Sequence, residues 1–256
     1  MNFTGGGAAD ESNTSTHTYM SELGERRLVV VTGATRGVGR ETAKALCEVH
    51  GCIVLAVGRD EAALMDLKAG CGNGSIEPVA LDIASADAPL QLLSALAGRR
   101  IHALVHNAGS LLKAPMGTYT AELLGALYHI NVIAPLLLTQ ALAPLLGGDP
   151  PGHIVHIGSM GGFQDSSKFL GLASYSSSKA ALACLSQCLA EEFKDLGIRS
   201  NCLALGAVDT VMLRAAFPGY TAPVSAEAMG AYVAQFSLDG HKLYNAKVLP
   251  VAVGTP

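Results

Sequence analysis

Residues 28–51 read LVVVTGATRGVGRETAKALCEVHG, an apolar run of strand length, a glycine-rich turn, and then apolar positions at helical spacing. Continuous apolar strands that alternate with helices specify a parallel sheet covered on both faces. The rest of the chain repeats this alternation. Strands are expected at 52–58, 76–81, 102–109, 153–159, 199–205 and 247–253. Helices are expected at 61–70, 86–97, 121–146, 174–196 and 225–238. Right-handed crossovers turn such a series into a doubly wound sheet of about seven strands. A closed eight-stranded barrel alternates in the same way, and the motifs favour the open sheet.

Composition narrows the class further. The chain has 256 residues, 50% of them apolar and 15% charged, with 29 glycines, no tryptophan and a net charge of −4. That length buries a full core, and the mixture excludes disordered, coiled-coil and collagen-like chains. The charge argues against nucleic acid or an anionic membrane as partner, because both require clustered cations. The most apolar stretch, 132–146, is shorter than the roughly 20 residues a span needs. Residues 1–24 lack the basic start and apolar core of a signal peptide and read as a disordered leader, with Met20 as an alternative start. Residues 25–256 then form one domain holding every site. The six cysteines (47, 52, 71, 184, 188 and 202) form no CxxC pair and read as reduced thiols of a cytoplasmic protein. Cys184 and Cys188, at i, i+4 on a helix, are expected to be small buried hydrophobes.

The turn Thr32-Gly33-Ala34-Thr35-Arg36-Gly37-Val38-Gly39 lies between the first strand and its helix. Glycines there let the backbone approach a pyrophosphate at the helix N-terminus, where free N–H groups and the helix dipole favour anions. Tyr175 and Lys179 are i, i+4 and share one helix face. A free tyrosine, with a pKa near 10, is a poor base, and a nearby ammonium stabilises its phenolate. Ser159 ends a strand, where open sheets place their sites, but the sequence around it is not a nucleophile elbow. Pro135 clashes with the carbonyl four residues back, so the helical partner of the Asn131 carbonyl should be lost.

The GxxxGxG spacing at 33–39, His106-Asn107-Ala108-Gly109, Ser159 and the Tyr175–Lys179 pair stand in the order found in the short-chain dehydrogenase/reductases, which the chain resembles over about residues 27–250. The resemblance implies a single Rossmann-type domain, usually a dimer or tetramer, associating here through the helices around 121–146 and 175–196. It implies hydride transfer between a nicotinamide cofactor and a small-molecule carbonyl or secondary alcohol. Ser159 would hold the substrate oxygen and Tyr175 would pass the proton. Lys179 would bias Tyr175 and anchor the nicotinamide ribose, and the Asn131 carbonyl would hold a relay water. Cofactor contacts would come from Gly33, Thr35, Arg36, Gly37, Val38, Gly39, Asp82, Ile83, Asn107, Ala108 and Gly109, and from Gly206, Val208 and Thr210. Arg36 and Arg59 point to NADP(H). NAD(H) stays possible through Asp60, which serves equally as a helix cap. Asp82 matches an adenine contact and reads equally as a turn residue.

Several features depart from that pattern. Leu205 replaces the usual proline before Gly206, and about a dozen residues after Thr210 leave little material for a lid. The loop between Ser159 and Tyr175 is longer than usual, making Phe163 and Phe169 either pocket walls or simple packing. His106 and His156 end adjacent strands and are expected to be satisfied core histidines, without a third metal ligand. The rival readings are an NAD-linked alcohol dehydrogenase of the same fold and a dinucleotide sensor without turnover.

Overall fold

The structure, a computed structural model, describes residues 26–72 and 75–254. The leader expected over residues 1–24 lies outside the described residues.

Five neighbouring strands carry the centre of the molecule: β1 (Leu28–Thr32), β2 (Ile53–Gly58), β4 (Ala103–His106), β5 (Gly152–Ile157) and β6 (Ile198–Leu205). They are buried almost throughout, as their unbroken apolar runs require. With β3 (Ile76–Ala80) and β9 (Val248–Val251) at the edges, the order is β3-β2-β1-β4-β5-β6-β9, all parallel. One face is covered by α1 (Gly37–Glu48), α2 (Glu61–Gly70) and α8 (Ala226–Asp239), whose Leu46, Leu64 and Val233 pack with Val29, Val31 and Val155. The other face takes α3 (Ala88–Leu96) and α5 (Ala134–Leu146) through Leu92, Leu138 and Leu142. Each such leucine contributes roughly 1.5–3 kcal/mol by leaving water. The order of crossovers reverses between β1 and β4, and the crevice beyond the carboxyl ends of these strands is where an open sheet binds ligands.

The expected long helix over 121–146 is not one α-helix. It runs as α4 (Ala121–Tyr128), a π-helical turn at His129–Ile133, and α5. Pro135 near the start of α5 supplies the cause, since it offers no N–H and crowds the preceding turn. The whole run Ala121–Leu146 has 26 residues and holds an 18-residue stretch of mean hydropathy 1.5, enough by length and composition to cross a bilayer, so 132–146 alone understated it. Its inner face nevertheless buries Leu127, Ala134, Leu138, Leu142 and Leu146 in the fold, the pattern of a helix that covers a sheet.

Other differences are local. The helix expected at 174–196 is α6 (Ala173–Glu192) followed by a separate 3-10 turn at Lys194–Leu196. Cys184 and Cys188 are exposed rather than buried, because they lie on the side of α6 turned away from the sheet. The stretch after Thr210 contains α7 (Val211–Ala216), framed by two short paired strands, β7 (Val208–Asp209) and β8 (Val224–Ser225). Too little periodicity is present in two or six residues for a sequence pattern to register.

Candidate active site

The turn after β1 is shaped by close backbone approach. Gly33 and Gly37 have φ of +70° and +56°, conformations that favour glycine. A Cβ at Gly39 would sit 2.2 Å from Asn107 Nδ2 and 2.4 Å from the Gly33 carbonyl oxygen. Asn107 occupies that space with purpose: its Nδ2 donates to the Thr32 and Gly33 carbonyls at 3.0 and 3.1 Å. The backbone N–H groups of Asn107 and Ala108 both donate to Thr32 Oγ1 at 3.1 Å. This knot ties the ends of β1 and β4 together beneath the turn. At the start of α1, Arg36 has extended backbone and no side-chain cap, so the first N–H groups of the helix keep no side-chain acceptor there.

A cleft of about 610 Å³ opens above the turn. It is lined by Gly33, Thr35, Arg36, Gly37, Val38, Arg59, Asp82, Ile83, Asn107, Ala108 and Gly109, and across from them by Ser159, Tyr175, Lys179, Gly206, Val208 and Thr210. Of the expected site residues only Gly39 and Asn131 lie outside the lining; both are buried just behind it. Thr210 reaches the glycine turn, since a Cβ on Gly37 would meet its methyl at 3.3 Å. The Thr210 hydroxyl also caps α7 by accepting from Leu213 N at 3.2 Å. Leu205 in place of proline does not disturb the backbone. It ends β6 as a buried residue paired with Val251, and Gly206 N donates to the Val251 carbonyl at 2.9 Å.

At the floor of the opposite half, Tyr175 and Lys179 project from one face of α6. Lys179 is 5% exposed, and its Nζ donates to the Ile157 carbonyl at 2.8 Å. Burial lowers its pKa to about 8, against a small opposing pull from Cys202. Burial likewise pushes the Tyr175 phenol above its ordinary value near 10, opposed by a hydrogen bond with the Ser159 hydroxyl. The phenol is therefore protonated at neutral pH and able to donate. Ser159 follows β5, and its Oγ accepts from Gly161 N at 3.1 Å.

Asn131, on the π turn, works through its side chain. Oδ1 accepts from Ser110 N at 2.8 Å, while Nδ2 donates to the Ser110 carbonyl and to Ser178 Oγ, both at 2.9 Å. It thus staples the loop after β4 to α6. Asn131 Oδ1 and Lys179 Nζ converge on Gly109, where a Cβ would lie 3.3 Å from each. Thr32, Ser110 and Ser178 were not singled out from sequence. A lone threonine ending an apolar strand and a serine before Lys179 were the available signals.

Two expectations about the rim resolve differently. Asp60 Oδ1 accepts from Ala63 N at 3.0 Å, so the acid after β2 is engaged as the cap of α2. Asp82 Oδ1 accepts from Ala84 N at 3.0 Å, a turn bond, while its Oδ2 lies 4.0 Å from the exposed Arg59 guanidinium. Phe169 lines the cleft and Phe163 does not.

Beneath the half that holds Tyr175 and Lys179 runs a polar row. His106, His156 and Cys202 occupy one register across β4, β5 and β6, and the two imidazoles stack with centroids 5.0 Å apart. They are buried but not satisfied, contrary to expectation. His106 Nε2 meets Thr139 Oγ1 at 2.8 Å, while His106 Nδ1 and both nitrogens of His156 have no hydrogen-bond partner. Burial holds His106 near a pKa of about 3 and drives His156 well below its ordinary value, with the His106 and Lys179 charges adding to the effect. Among the described residues no group of three His, Cys, Asp or Glu is placed to hold a metal ion.

This arrangement has close parallels. Residues 27–221 match the short chain dehydrogenase family. Similar proteins include protein FixR from Bradyrhizobium diazoefficiens, 34% identical over 75% of this chain and 70% of its own length. Carbonyl reductase [NADPH] 2 from Sus scrofa is 33% identical over 72% and 73%. Among solved structures, the Pseudomonas aeruginosa RhlG/NADP active-site complex superposes with a TM-score of 0.76 at 26% identity, covering 89% of this chain and 95% of that one. A short-chain dehydrogenase from Streptomyces avermitilis gives 0.74 at 28%, covering 90% and 88%. With its seven-stranded parallel sheet and this match, the chain belongs to the short chain dehydrogenase family and is an oxidoreductase of that class.

Proposed function

We propose that the protein is an NADP(H)-dependent carbonyl reductase, acting on a small-molecule ketone or aldehyde or, in reverse, on the secondary or primary alcohol. The observation that carries this reading is the convergence of Ser159, Tyr175, Lys179 and the Asn131 staple on the floor of one cleft whose other half is a glycine turn. The residues present fit a dinucleotide: the cradle at Gly33–Gly39 admits no Cβ at Gly33 or Gly39, and the α1 N-terminus is left for an anion. NADPH, when bound, supplies the hydride at its nicotinamide ring. Ser159 orients the carbonyl oxygen, and the protonated Tyr175 phenol donates to that oxygen as charge develops on it. The Lys179 ammonium stabilises the resulting phenolate at pH values below about 8. Asn131 fixes the loop and helix that set these distances.

Preference for NADP(H) is supported by the rim. Asp60, the acid that would take a ribose hydroxyl, is engaged as a helix cap, while Arg36 and Arg59 remain exposed at the cleft edge. Association of copies through α4–α6 is supported by exposed Leu123, Ile133, Leu136 and Leu137 on the outer face of the 121–146 run.

The test is thermal stabilisation by NADPH and NADH at equal concentration, paired with turnover of Tyr175→Phe. NADPH is expected to raise the melting temperature more than NADH. Tyr175→Phe should keep that shift while turnover falls by about 10²–10⁴-fold. Near-normal turnover of the variant removes Tyr175 from the mechanism, and absence of any shift removes the dinucleotide.

A further inference from the structure

The reaction half of the cleft is roofed by three loops from three different strands. Lys113, in the loop after β4, donates from Nζ to the Ala216 carbonyl at the end of α7, 2.5 Å away. The same ammonium stands 4.8 Å from the centroid of the Phe217 ring. Phe217 in turn meets Phe169 edge-on, 5.2 Å between centroids at 77°. The hydroxyl of Tyr119 donates to the carbonyls of Ala114 and Gly171 at 3.0 and 3.1 Å, and Ala114 N donates to the Gly171 carbonyl at 2.9 Å. The loops after β4, β5 and β6 are therefore cross-tied, and the roof over the substrate position is assembled from within the chain.

The chemistry facing inward is one-sided. The cleft's charged lining residues are Arg36, Arg59 and Asp82 at the β1–β3 end, and Lys179 on the floor. Lys179 is already engaged with the Ile157 carbonyl. Lys113 is held on Phe217 and Ala216 and is not among the lining residues. Side chains on the reaction side are Leu111, Met160, Phe169, Leu172, Met212 and Phe217 among others. Two hydroxyls, on Ser159 and Tyr175, are placed for one substrate oxygen.

We infer that the site selects a neutral, predominantly apolar carbonyl compound and discriminates against a carboxylate beside the carbonyl, with Phe169 and Phe217, clamped by Lys113, as the specificity-determining roof. The inference rests on the reductase reading above. An ionised oxygen under this roof would exchange water for hydrocarbon and find no cation besides Lys179, whose charge the Tyr175 phenolate of the reductase reading already requires. In the forward reaction a C–H bond forms at the carbonyl carbon with the hydride of NADPH. An O–H bond forms with the Tyr175 proton, NADP⁺ is left, and solvent returns a proton to the phenolate.

The decisive pair is methyl benzoylformate against benzoylformate, which share the reacting aryl ketone and differ in the group beside it, esterified in one and ionised in the other, with the ratio taken relative to their reduction by borohydride. Oxidation of NADPH should show kcat/KM for the ester about 100-fold above that for the acid. Binding is read separately from turnover: with NADP⁺ present, methyl mandelate should raise the melting temperature and mandelate should not. Phe217→Ala should raise KM for the ester about fivefold or more, with kcat within about twofold. Phe217→Leu should restore most of that loss. Lys113→Met, which keeps the stem and loses the ammonium, should show a smaller rise in KM and guards against a Phe217 variant that fails to fold.

An acid within tenfold of the ester overturns the inference. So does a Phe217→Ala variant that folds with an unchanged KM, or a melt that neither mandelate compound moves. Stabilisation by methyl mandelate without NADPH oxidation of either ketone would leave the selectivity standing and defeat the reductase reading instead.

Discussion

The two halves of the cleft are built by opposite means. The cofactor half is backbone: a turn of glycines after β1, locked from below by Asn107 and Thr32, with little side-chain bulk allowed near it. The reaction half is side chain: Tyr175 and Lys179 from a helix, Asn131 from a π turn, and a roof of aromatic and aliphatic residues from three loops. Beneath the second half, three imidazole nitrogens have no hydrogen-bond partner. A shape common to many ligands of one kind can be written into a short segment. A pocket for one substrate requires distant segments to meet.

The largest expected effect that sharpens this contrast is acid sensitivity of the reaction half. His106 has a pKa of about 3 when folded, against an ordinary value of 6.5, because burial penalises its charged form. A depressed folded value means that the stability is fully present above pH 6.5 and is lost as pH falls towards 3. At pH 5 this histidine should already cost about 2 kcal/mol. Urea midpoints measured at pH 7.5 and 5 should therefore fall steeply, and His156→Phe, which removes two orphaned nitrogens at similar volume, should flatten the slope. An unchanged slope in that variant would take His156 out of the effect.

Next comes the cofactor half. Gly39→Ala forces Asn107 away from two backbone carbonyls and should destabilise the fold by about 1–3 kcal/mol. It should also abolish stabilisation by NADPH, whereas Phe217→Ala should leave that stabilisation intact. A variant that binds NADPH normally would show that the turn tolerates a side chain.

Lys179→Met tests the floor in the other direction. A lysine whose folded pKa is about 8 rather than 10.5 carries a burial cost at neutral pH that relaxes as pH rises from 8 to 10.5. Removing the charge should raise stability by about 1–2 kcal/mol at pH 7, after loss of the bond to Ile157, while turnover falls by orders of magnitude. A lower melting temperature would mean that the ammonium is stabilising where it lies. The smallest effect belongs to the exposed rim: Arg59→Ala should weaken NADPH about tenfold and NADH hardly at all, read by titration.

Much of this was legible in the chain. The strand and helix order, the glycine turn and the spacing of Tyr175 and Lys179 follow from periodicity and from local backbone geometry, which short segments carry within themselves. The helix over 121–146 was legible in extent but not in its π turn. The distortion was foreseeable from Pro135, while its form depends on Asn131 being held by Ser110 and Ser178 from elsewhere. Cys184 and Cys188 misled because an i, i+4 pair says which face they share, not which way that face turns.

By itself, then, the sequence determined a parallel doubly wound sheet, the glycine turn after β1 and the shared helix face of Tyr175 and Lys179, because these depend on near neighbours along the chain. Tertiary structure alone decided that Asp82 lies beside Arg59. It likewise set two histidines in one register with three of their four ring nitrogens unpaired and brought Lys113, Phe169 and Phe217 together as a roof. Each of those outcomes is a contact between segments brought together from separate parts of the fold, and its energy depends on what the packed chain leaves within hydrogen-bond or van der Waals reach.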